Sequence, residues 1–157
     1  MKLKEIFARK NIIHSLKSTQ KPDTIREMVQ QLAKSGAIPK GETEDVERAL
    51  MRREELGSTG IGKGVAVPHA KHPAVEGVIG AFGRSEKGIA FNALDDQPVH
   101  LVFLLISAPD AVEPHLAALR KLMTLLKDGD LCAFMKRAKD VSELVELLAE
   151  ADDRLPK

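Results

Sequence analysis

The sequence is organised around one stretch, Gly57-Ser-Thr-Gly-Ile-Gly-Lys-Gly-Val-Ala-Val-Pro-His-Ala-Lys71. Four of its first eight residues are glycines, which indicates backbone that bends tightly or lets another group approach closely. The run Val65-Ala66-Val67 predicts a short buried strand, and Pro68 removes the next ladder donor. We therefore expect the imidazole of His69 at a strand end, on a rigid support beside a ligand-facing loop. An isolated histidine more often only closes a turn, so its role depends on its surroundings.

Composition excludes several classes of function. The 157 residues suit a single domain, and 43% of them are apolar, which is enough for a core. The net charge is +1 and the aromatic content is 3%, all of it Phe, so neither charge nor stacking favours nucleic acid as a partner. The single cysteine, Cys132, cannot form an internal disulfide, and no apolar run approaches the ~20 residues of a membrane-spanning helix. We expect a cytoplasmic protein without membrane insertion.

Hydrophobic periodicity predicts strands and helices in alternation. The run Val99-His-Leu-Val-Phe-Leu-Leu-Ile106 is the most apolar in the chain and predicts a central strand covered on both faces. Further strands are predicted at 65–67, 77–84 and 89–94. Helices are predicted from Pro22 to Gly36, from Thr43 to Gly57, from Pro114 (burying Leu116, Leu119, Leu122, Met123 and Leu126), over 130–138 (burying Leu131, Phe134 and Met135) and over 140–150. The last residues, 152–157, are expected to fray.

The helix before the glycines carries an inward-facing arginine. Arg53 follows Val46 by seven residues, so we expect it in the middle of the apolar stripe, with Arg52 on the flank. An inward guanidinium needs an anion, which is either a carboxylate elsewhere in the fold or a phosphoryl group that matches its planar fork. Because the helix ends at Gly57, Arg53 is expected one turn from the glycine loop, which favours the phosphoryl group.

A second histidine is predicted to face inward. His115 follows Pro114 and precedes Leu122 by seven residues, which places it on the inward stripe in the first turn of its helix. The N-terminus of a helix offers unpaired N–H groups to an anion, although Pro114 withholds one. The alternative is a buried histidine bonded to a carbonyl, and the residue alone does not decide between the two.

Two other motifs fail on inspection. The spacing from Gly57 to Lys63 matches the start of a P-loop, but Gly64 stands where a Ser or Thr must hold Mg²⁺, and the loop joins a helix to a strand rather than the reverse. His69 and His72 have His-x-x-His spacing, but a strand does not bring them together and no nearby Cys, Asp or Glu completes a set. Neither NTP hydrolysis nor a zinc site is favoured.

The three remaining groups suit phosphoryl transfer to nitrogen. The transferring group spreads its charge over equatorial oxygens, so the protein has to position and neutralise it. A neutral imidazole is a competent nucleophile near neutral pH without a separate base. A phosphoryl group on nitrogen can be passed on if the site does not activate water. The glycine loop would let a partner protein approach His69.

These residues resemble a known family. The block Arg53-Glu-Glu-Leu-Gly-Ser-Thr-Gly-Ile-Gly-Lys-Gly-Val-Ala-Val-Pro-His69, followed by Gln97-Pro98-Val99 and Glu113-Pro-His115, is similar to the fructose/mannitol-type enzyme IIA domain of the bacterial phosphoenolpyruvate-dependent phosphotransferase system. The resemblance covers about residues 3–150 and is strongest to the nitrogen-regulatory branch. It implies one enzyme IIA type-2 domain over 1–157, with 151–157 as a tail, and an α/β three-layer sandwich in which helices flank a mixed parallel and antiparallel sheet.

The resemblance also implies roles. His69 accepts a phosphoryl group from an HPr-like carrier, and His115 and Arg53 stabilise that group, with no cofactor and no metal. We expect five residues to support the loop: Gly57, Ser58, Thr59, Gly62 and Gly64. Lys63 stands where relatives often have Asn or an acid, which could alter carrier preference, and His100 where they often have Asp, with no predicted effect on the chemistry.

The output of such a carrier is left open by the sequence. In the regulatory branch the phosphorylation state is read by partners such as potassium transporters or sensor kinases. The alternative is a sugar-permease component that passes the phosphoryl group to a IIB domain. The absence of IIB or IIC sequence in this chain favours regulation. A different class, a pure interaction module with relic histidines, is disfavoured by the intact trio of Arg53, His69 and His115.

Overall fold

A computed structural model describes residues 1–155, whose strands form one mixed sheet of six. The strands are β1 (Ile12–Ile13), β2 (Gly60–Gly62), β3 (Val65–Ala66), β4 (His69–Lys71), β5 (Val78–Ile89) and β6 (Val99–Ser107). Their order is β1-β5-β6-β3-β2, with β4 also paired to β6. β5 runs antiparallel to β6, whereas β3 and β4 run parallel to it. β6 is therefore the central strand, as its apolar run predicts.

Helices cover both faces of the sheet. They are α1 (Leu3–Ile6), α2 (Lys21–Lys34), α3 (Thr43–Glu55), α4 (Val112–Leu125), α5 (Gly129–Lys136) and α6 (Val141–Arg154). Side chains of β6 alternate between the layers: Leu101, Phe103 and Leu105 pack with α1, α4, α5 and α6, and the residues between them pack with α2 and α3. The predicted α/β three-layer sandwich with a mixed sheet is confirmed.

The structure differs from the predicted strands over 77–84 and 89–94: it has one longer strand, followed by an irregular segment. β5 continues without interruption between residues 84 and 89. Its pairing with β6 shifts register there, and Gly88 adopts φ 94°, so the polar segment stays within the strand. After Ile89 the chain leaves the sheet, since Ala90 makes only an isolated bridge to Gln20 and Asn92 takes φ 54°. The predicted strand over 89–94 is therefore wrong.

The inward face of α4 is rotated from the predicted one. The helix begins at Val112, two residues before Pro114, and buries His115, Ala118, Leu122 and Leu125. Leu116 and Met123 are each 43% exposed, because they lie one residue, or about 100°, around the helix from the buried series. Phe134 on α5 is also exposed, contrary to prediction.

The predicted frayed tail is ordered as far as the structure describes it. α6 continues to Arg154, and the carboxylate of Asp152 accepts hydrogen bonds from the backbone N–H groups of Leu3 and Lys4. These bonds fasten the end of α6 to the start of α1, because they satisfy donors that a helix N-terminus otherwise leaves unpaired. Residues 156 and 157, which also belong to the predicted tail, lie outside the described residues. None of the helices within residues 1–155 is long and apolar enough to cross a bilayer.

Candidate functional site

His69, His115 and Arg53 line one surface cavity of about 610 Å³. The imidazole centroids of the two histidines are 5.7 Å apart, with their planes inclined by 50°. β4, α4 and α3 each supply one of the three side chains. The structure thus brings together the three residues that the sequence singles out. The rest of the lining is Ala49, Arg52, Glu55, Leu56, Ala70 and Lys71.

His69 opens a strand rather than ending one. Pro68 interrupts the ladder, its carbonyl accepts a hydrogen bond from Leu105 N–H at 2.9 Å, and pairing with β6 resumes at His69. The expected strand end is therefore a break between β3 and β4. The His69 imidazole nevertheless has the rigid support that the sequence predicts, because backbone hydrogen bonds on both sides of Pro68 fix the main chain.

Backbone contact selects the tautomer of the His69 ring. Its Nδ1 lies 2.8 Å from the carbonyl oxygen of Val67, and a carbonyl can only accept, so Nδ1 carries the proton and donates it. Nε2 then holds the lone pair. Burial lowers the pKa of His69, the positive charge of Arg53 acts in the same direction, and the bond to Val67 opposes them. The ring is thus neutral near pH 7 and presents Nε2 as a nucleophile.

Arg53 lies at the edge of the buried face of α3, not in its middle. The buried residues of this helix are Val46, Leu50 and Glu54, so the stripe follows i, i+4, i+8 and passes one residue beyond Arg53. The guanidinium donates from Nη1 to the carbonyl of Gly57 at 3.0 Å. Within residues 1–155 it pairs with no carboxylate. Its charge is therefore left for an anion in the cavity.

Glu54 is a structural residue that the sequence analysis missed. It is 6% exposed, and its carboxylate accepts from Lys21 Nζ at 2.9 Å, from Thr59 N–H at 3.1 Å and from the Thr59 hydroxyl. These bonds tie α2 and the glycine-rich segment to the end of α3, one residue from Arg53. A signal was present, because a charged residue eight positions after Val46 continues the apolar stripe.

We expect Glu54→Ala to lower the free energy of unfolding by about 3 kcal/mol, because it leaves Lys21 and the Thr59 N–H buried without an acceptor. Urea unfolding measures the change. Glu55→Ala is the matched control, since Glu55 is exposed, and its effect should stay within about 0.5 kcal/mol. Equal effects of the two substitutions would show that the Glu54 contacts do not stabilise the fold.

His115 is buried and bonded to a hydroxyl, not to a carbonyl. Its backbone N–H already donates to Ala111 O at 3.0 Å, since the helix starts earlier than predicted, so His115 contributes no free backbone donor. Its Nδ1 lies 2.5 Å from Oγ of Ser107. Burial lowers the pKa of His115, and repulsion from a protonated His69 ring and from Lys71 lowers it further.

Ser107 sets the tautomer of His115. It is fully buried at the end of β6, and within residues 1–155 its hydroxyl has no hydrogen-bond partner except His115. A buried O–H donor needs an acceptor, so the Ser107 hydroxyl donates to Nδ1. The proton of the neutral His115 ring then resides on Nε2, which makes that nitrogen a donor for an anion. The sequence analysis did not find this residue.

His72 forms a hydrogen-bonded tie, not a metal ligand. The structure places Glu42 and Asp45 beside it, so the expectation that no acid lies nearby is wrong; both come from a helix region some thirty residues earlier. However, Nδ1 of His72 accepts from Ala74 N–H at 3.0 Å, so Nε2 carries the proton that it donates to Asp45 at 2.5 Å. A metal would need a lone pair there. The bond joins α3 to β4.

The glycine-rich segment divides into two parts. Gly57 accepts from Arg53, Thr59 binds Glu54, and Ser58 Oγ donates to Phe91 O at 3.0 Å and accepts from Gly60 N–H. These bonds hold the first part of the segment against the end of α3, next to Arg53, and its support of the loop stays a prediction. Gly62 and Gly64 instead form the turn between β2 and β3, at φ 96° and 79°. The cavity lining includes neither of them, so they shape the loop at a distance from His69, and their support of the loop stays a prediction.

Two positions that depart from the resemblance lie outside the cavity lining. Lys63 occupies the turn at φ 58°, a conformation that Asn tolerates better than other side chains. His100 donates from Nδ1 to Ser85 O at 2.9 Å, which is a structural role.

Comparison with known proteins agrees with the geometry. The family described as "Phosphoenolpyruvate-dependent sugar phosphotransferase system, EIIA 2" matches residues 5–151. The chain is 36% identical to the nitrogen regulatory protein of Bradyrhizobium diazoefficiens over 150 residues, covering 95% of each chain. It is 35% identical over 152 residues to the fructose-specific EIIABC component of the Bacillus subtilis PTS system, covering 97% of this chain but only 24% of that longer protein.

A solved structure shows the same fold. The nitrogen regulatory protein IIA-Ntr from Neisseria meningitidis superimposes with a TM-score of 0.83 at 30% identity, covering 92% of this chain and 97% of that one. The similarity therefore extends over nearly the whole of both molecules.

Proposed function

Because the chain belongs to the EIIA 2 family of the phosphoenolpyruvate-dependent sugar phosphotransferase system, whose members are phosphotransfer components, we propose that it is a phosphohistidine carrier. It accepts a phosphoryl group on Nε2 of His69 from an HPr-like protein. The observation that carries this proposal is the bond from Nδ1 of His69 to Val67 O, which leaves Nε2 unprotonated in a cavity shared with His115 and Arg53.

The proposed transfer needs neither water nor a separate base. The N–P bond of the donor phosphohistidine breaks, the donor nitrogen keeps the electron pair, and a new N–P bond forms at Nε2 of His69. No proton has to leave, because Nε2 carries none. The guanidinium of Arg53 neutralises charge on the equatorial oxygens, and the Nε2–H of His115 donates a hydrogen bond to them. Arg52 and Lys71 add positive charge to the lining, against the single carboxylate of Glu55.

Incubation with enzyme I, an HPr-like carrier and phosphoenolpyruvate tests this function. We expect the mass of one phosphoryl group to be added, with the acid lability and base stability of a phosphoramidate. A chain that gains no mass, while a known enzyme IIA in the same mixture does, would contradict the proposal.

The output that we propose is regulatory. The Bradyrhizobium relative of nearly equal length is named a nitrogen regulatory protein. As the resemblance to the nitrogen-regulatory branch implies, we propose that a potassium transporter or a sensor kinase reads the phosphorylation state on the cytoplasmic side. The fructose-specific relative supports the alternative, in which the phosphoryl group passes to a IIB domain. A fructose-type IIB domain distinguishes the two outputs when it is mixed with the phosphorylated chain. Retention of the phosphoryl group supports regulation, and rapid transfer to IIB supports sugar uptake.

We expect Ser107→Ala to slow phosphoryl transfer about tenfold at saturating donor, because loss of one hydrogen bond of about 1.4 kcal/mol frees the His115 tautomer. Ser85→Ala is the matched control, since Ser85 is equally buried and binds Gly88 N–H, away from the cavity. Rapid-quench phosphorylation measures the rate, and thermal unfolding checks the fold. A Ser107→Ala rate equal to that of the control would mean that Ser107 does not set the tautomer.

A further inference from the structure

A second cavity, of about 410 Å³, lies where the turn between β2 and β3 meets α4 and α5. It shares no lining residue with the cavity of His69 and has no part in the proposed phosphoryl transfer. Its inner surface is mainly apolar, formed by Ile61, Val65, Met123, Leu126 and Cys132. Its size and lining are those of a small-molecule site, since such sites are mostly apolar and measure roughly 300–1,000 Å³.

Three lysines, Lys63, Lys127 and Lys136, line the same cavity, and no carboxylate does. Over the part of the chain that the structure describes, none of the three forms an ion pair. Lys136 Nζ donates to the carbonyl of Lys63, which holds its charge beside the turn. Three lysines around one cavity make its surroundings positively charged, which favours an anion there.

The neighbouring carboxylates are already engaged. Asp95 accepts hydrogen bonds from the backbone N–H groups of Lys63 and Gln97. Asp128 caps α5 through Leu131 N–H and pairs with Arg154 at 2.7 Å. Bonds from neutral N–H groups leave the Asp95 carboxylate charged, and its charge acts on Lys136. The lining itself holds three lysines and no carboxylate, so positive charge still exceeds negative charge at this cavity.

We propose that this second cavity binds a small amphipathic anion. Its hydrocarbon or aryl body lies against the apolar wall formed by Met123, Leu126 and Cys132, and its carboxylate, sulfonate or phosphate group lies between the lysines. Both parts are needed: the apolar wall gives affinity by removing hydrocarbon from water, and the lysines exclude neutral and cationic ligands.

Fluorescence titration with 1-anilinonaphthalene-8-sulfonate tests the site on the full chain. We expect saturable binding that octanoate displaces and that 1-octanol at the same concentration does not. Lys127→Glu should weaken probe binding about tenfold, because it replaces an attraction with a repulsion. Within residues 1–155 Lys127 forms no ion pair that this change would break. Lys17→Glu is the matched control, since Lys17 is exposed and does not line the cavity, and it should leave the affinity within twofold.

Alkylation of Cys132 shows whether octanoate binds in this cavity. It is the single cysteine of the chain and lines the cavity, so octanoate should slow its alkylation by iodoacetamide at least fivefold. Unchanged alkylation, equal probe affinity of Lys127→Glu and wild type, or binding to phosphatidylglycerol vesicles without binding of free octanoate would overturn the proposal. Lys127→Glu should accept a phosphoryl group at the wild-type rate within twofold, so failure of this site and failure of the phosphocarrier function are distinguishable.

Discussion

We expect the His69→Gln variant to take up no phosphoryl group from the complete phosphoenolpyruvate, enzyme I and HPr-like mixture. Glutamine occupies a similar volume but offers no ring nitrogen as a nucleophile. The loss should be complete rather than partial, since Nε2 of His69 is the atom that forms the new bond. Intact-mass spectrometry of the variant, taken beside the wild-type chain, measures it.

His115→Gln is the control for this first prediction. His115 lines the same cavity, but Ser107 occupies its Nδ1 and leaves its Nε2 as a donor. This variant should therefore still be phosphorylated, more slowly by up to roughly 10²-fold, because the glutamine amide keeps an N–H donor but the Ser107 contact no longer orients it toward the transferring group. If His69→Gln took up a phosphoryl group and His115→Gln took up none, His115 would be the phosphoryl acceptor and His69 the stabilising residue.

Replacing Arg53 by Met should slow phosphoryl transfer by roughly 10²–10³-fold. The guanidinium reaches the cavity without a carboxylate partner, so its charge is available to the equatorial oxygens, and removal of one preorganised charged donor typically costs this much. Arg53→Lys should recover part of the rate, because it keeps the charge but not the planar fork. Rapid-quench kinetics at saturating donor measures all three proteins.

Arg52→Met is the matched control for this second prediction. Arg52 is the preceding residue and lines the same cavity, but it is exposed, so water screens its charge. We expect it to slow transfer less than tenfold. Thermal unfolding must accompany both measurements, since Arg53 also donates to Gly57 O. Equal slowing by Arg52→Met and Arg53→Met would indicate that only the total charge of the cavity matters.

Much of the fold was predictable because it is local in sequence. The apolar run from Val99 predicts a strand covered on both faces, and the 3.6-residue period locates the main helices. Errors arose where tertiary contacts decide. The rotation of α4 that exposes Leu116 and Met123 is set by packing onto the sheet, and the continuity of β5 depends on a register shift against β6.

The candidate site was predictable for a different reason. Arg53, His69 and His115 are chemically conspicuous and occur in recognisable local motifs. The residues that orient the two histidines are not conspicuous, because a single serine or aspartate is ordinary until its partner is known. Ser107 meets His115, and Asp45 meets His72, only through pairings of α4 and α3 with the sheet. Contacts of this kind, between separate elements of the fold, produce no motif of fixed spacing in the sequence.

Nitrogen-15 NMR of the phosphorylated chain, with labelled histidine, identifies the nitrogen that carries the phosphoryl group. We expect phosphorus coupling at Nε2 of the His69 ring, with Nδ1 still protonated and bonded to Val67 O. Coupling at Nδ1 of His69, or at any other histidine, would contradict it.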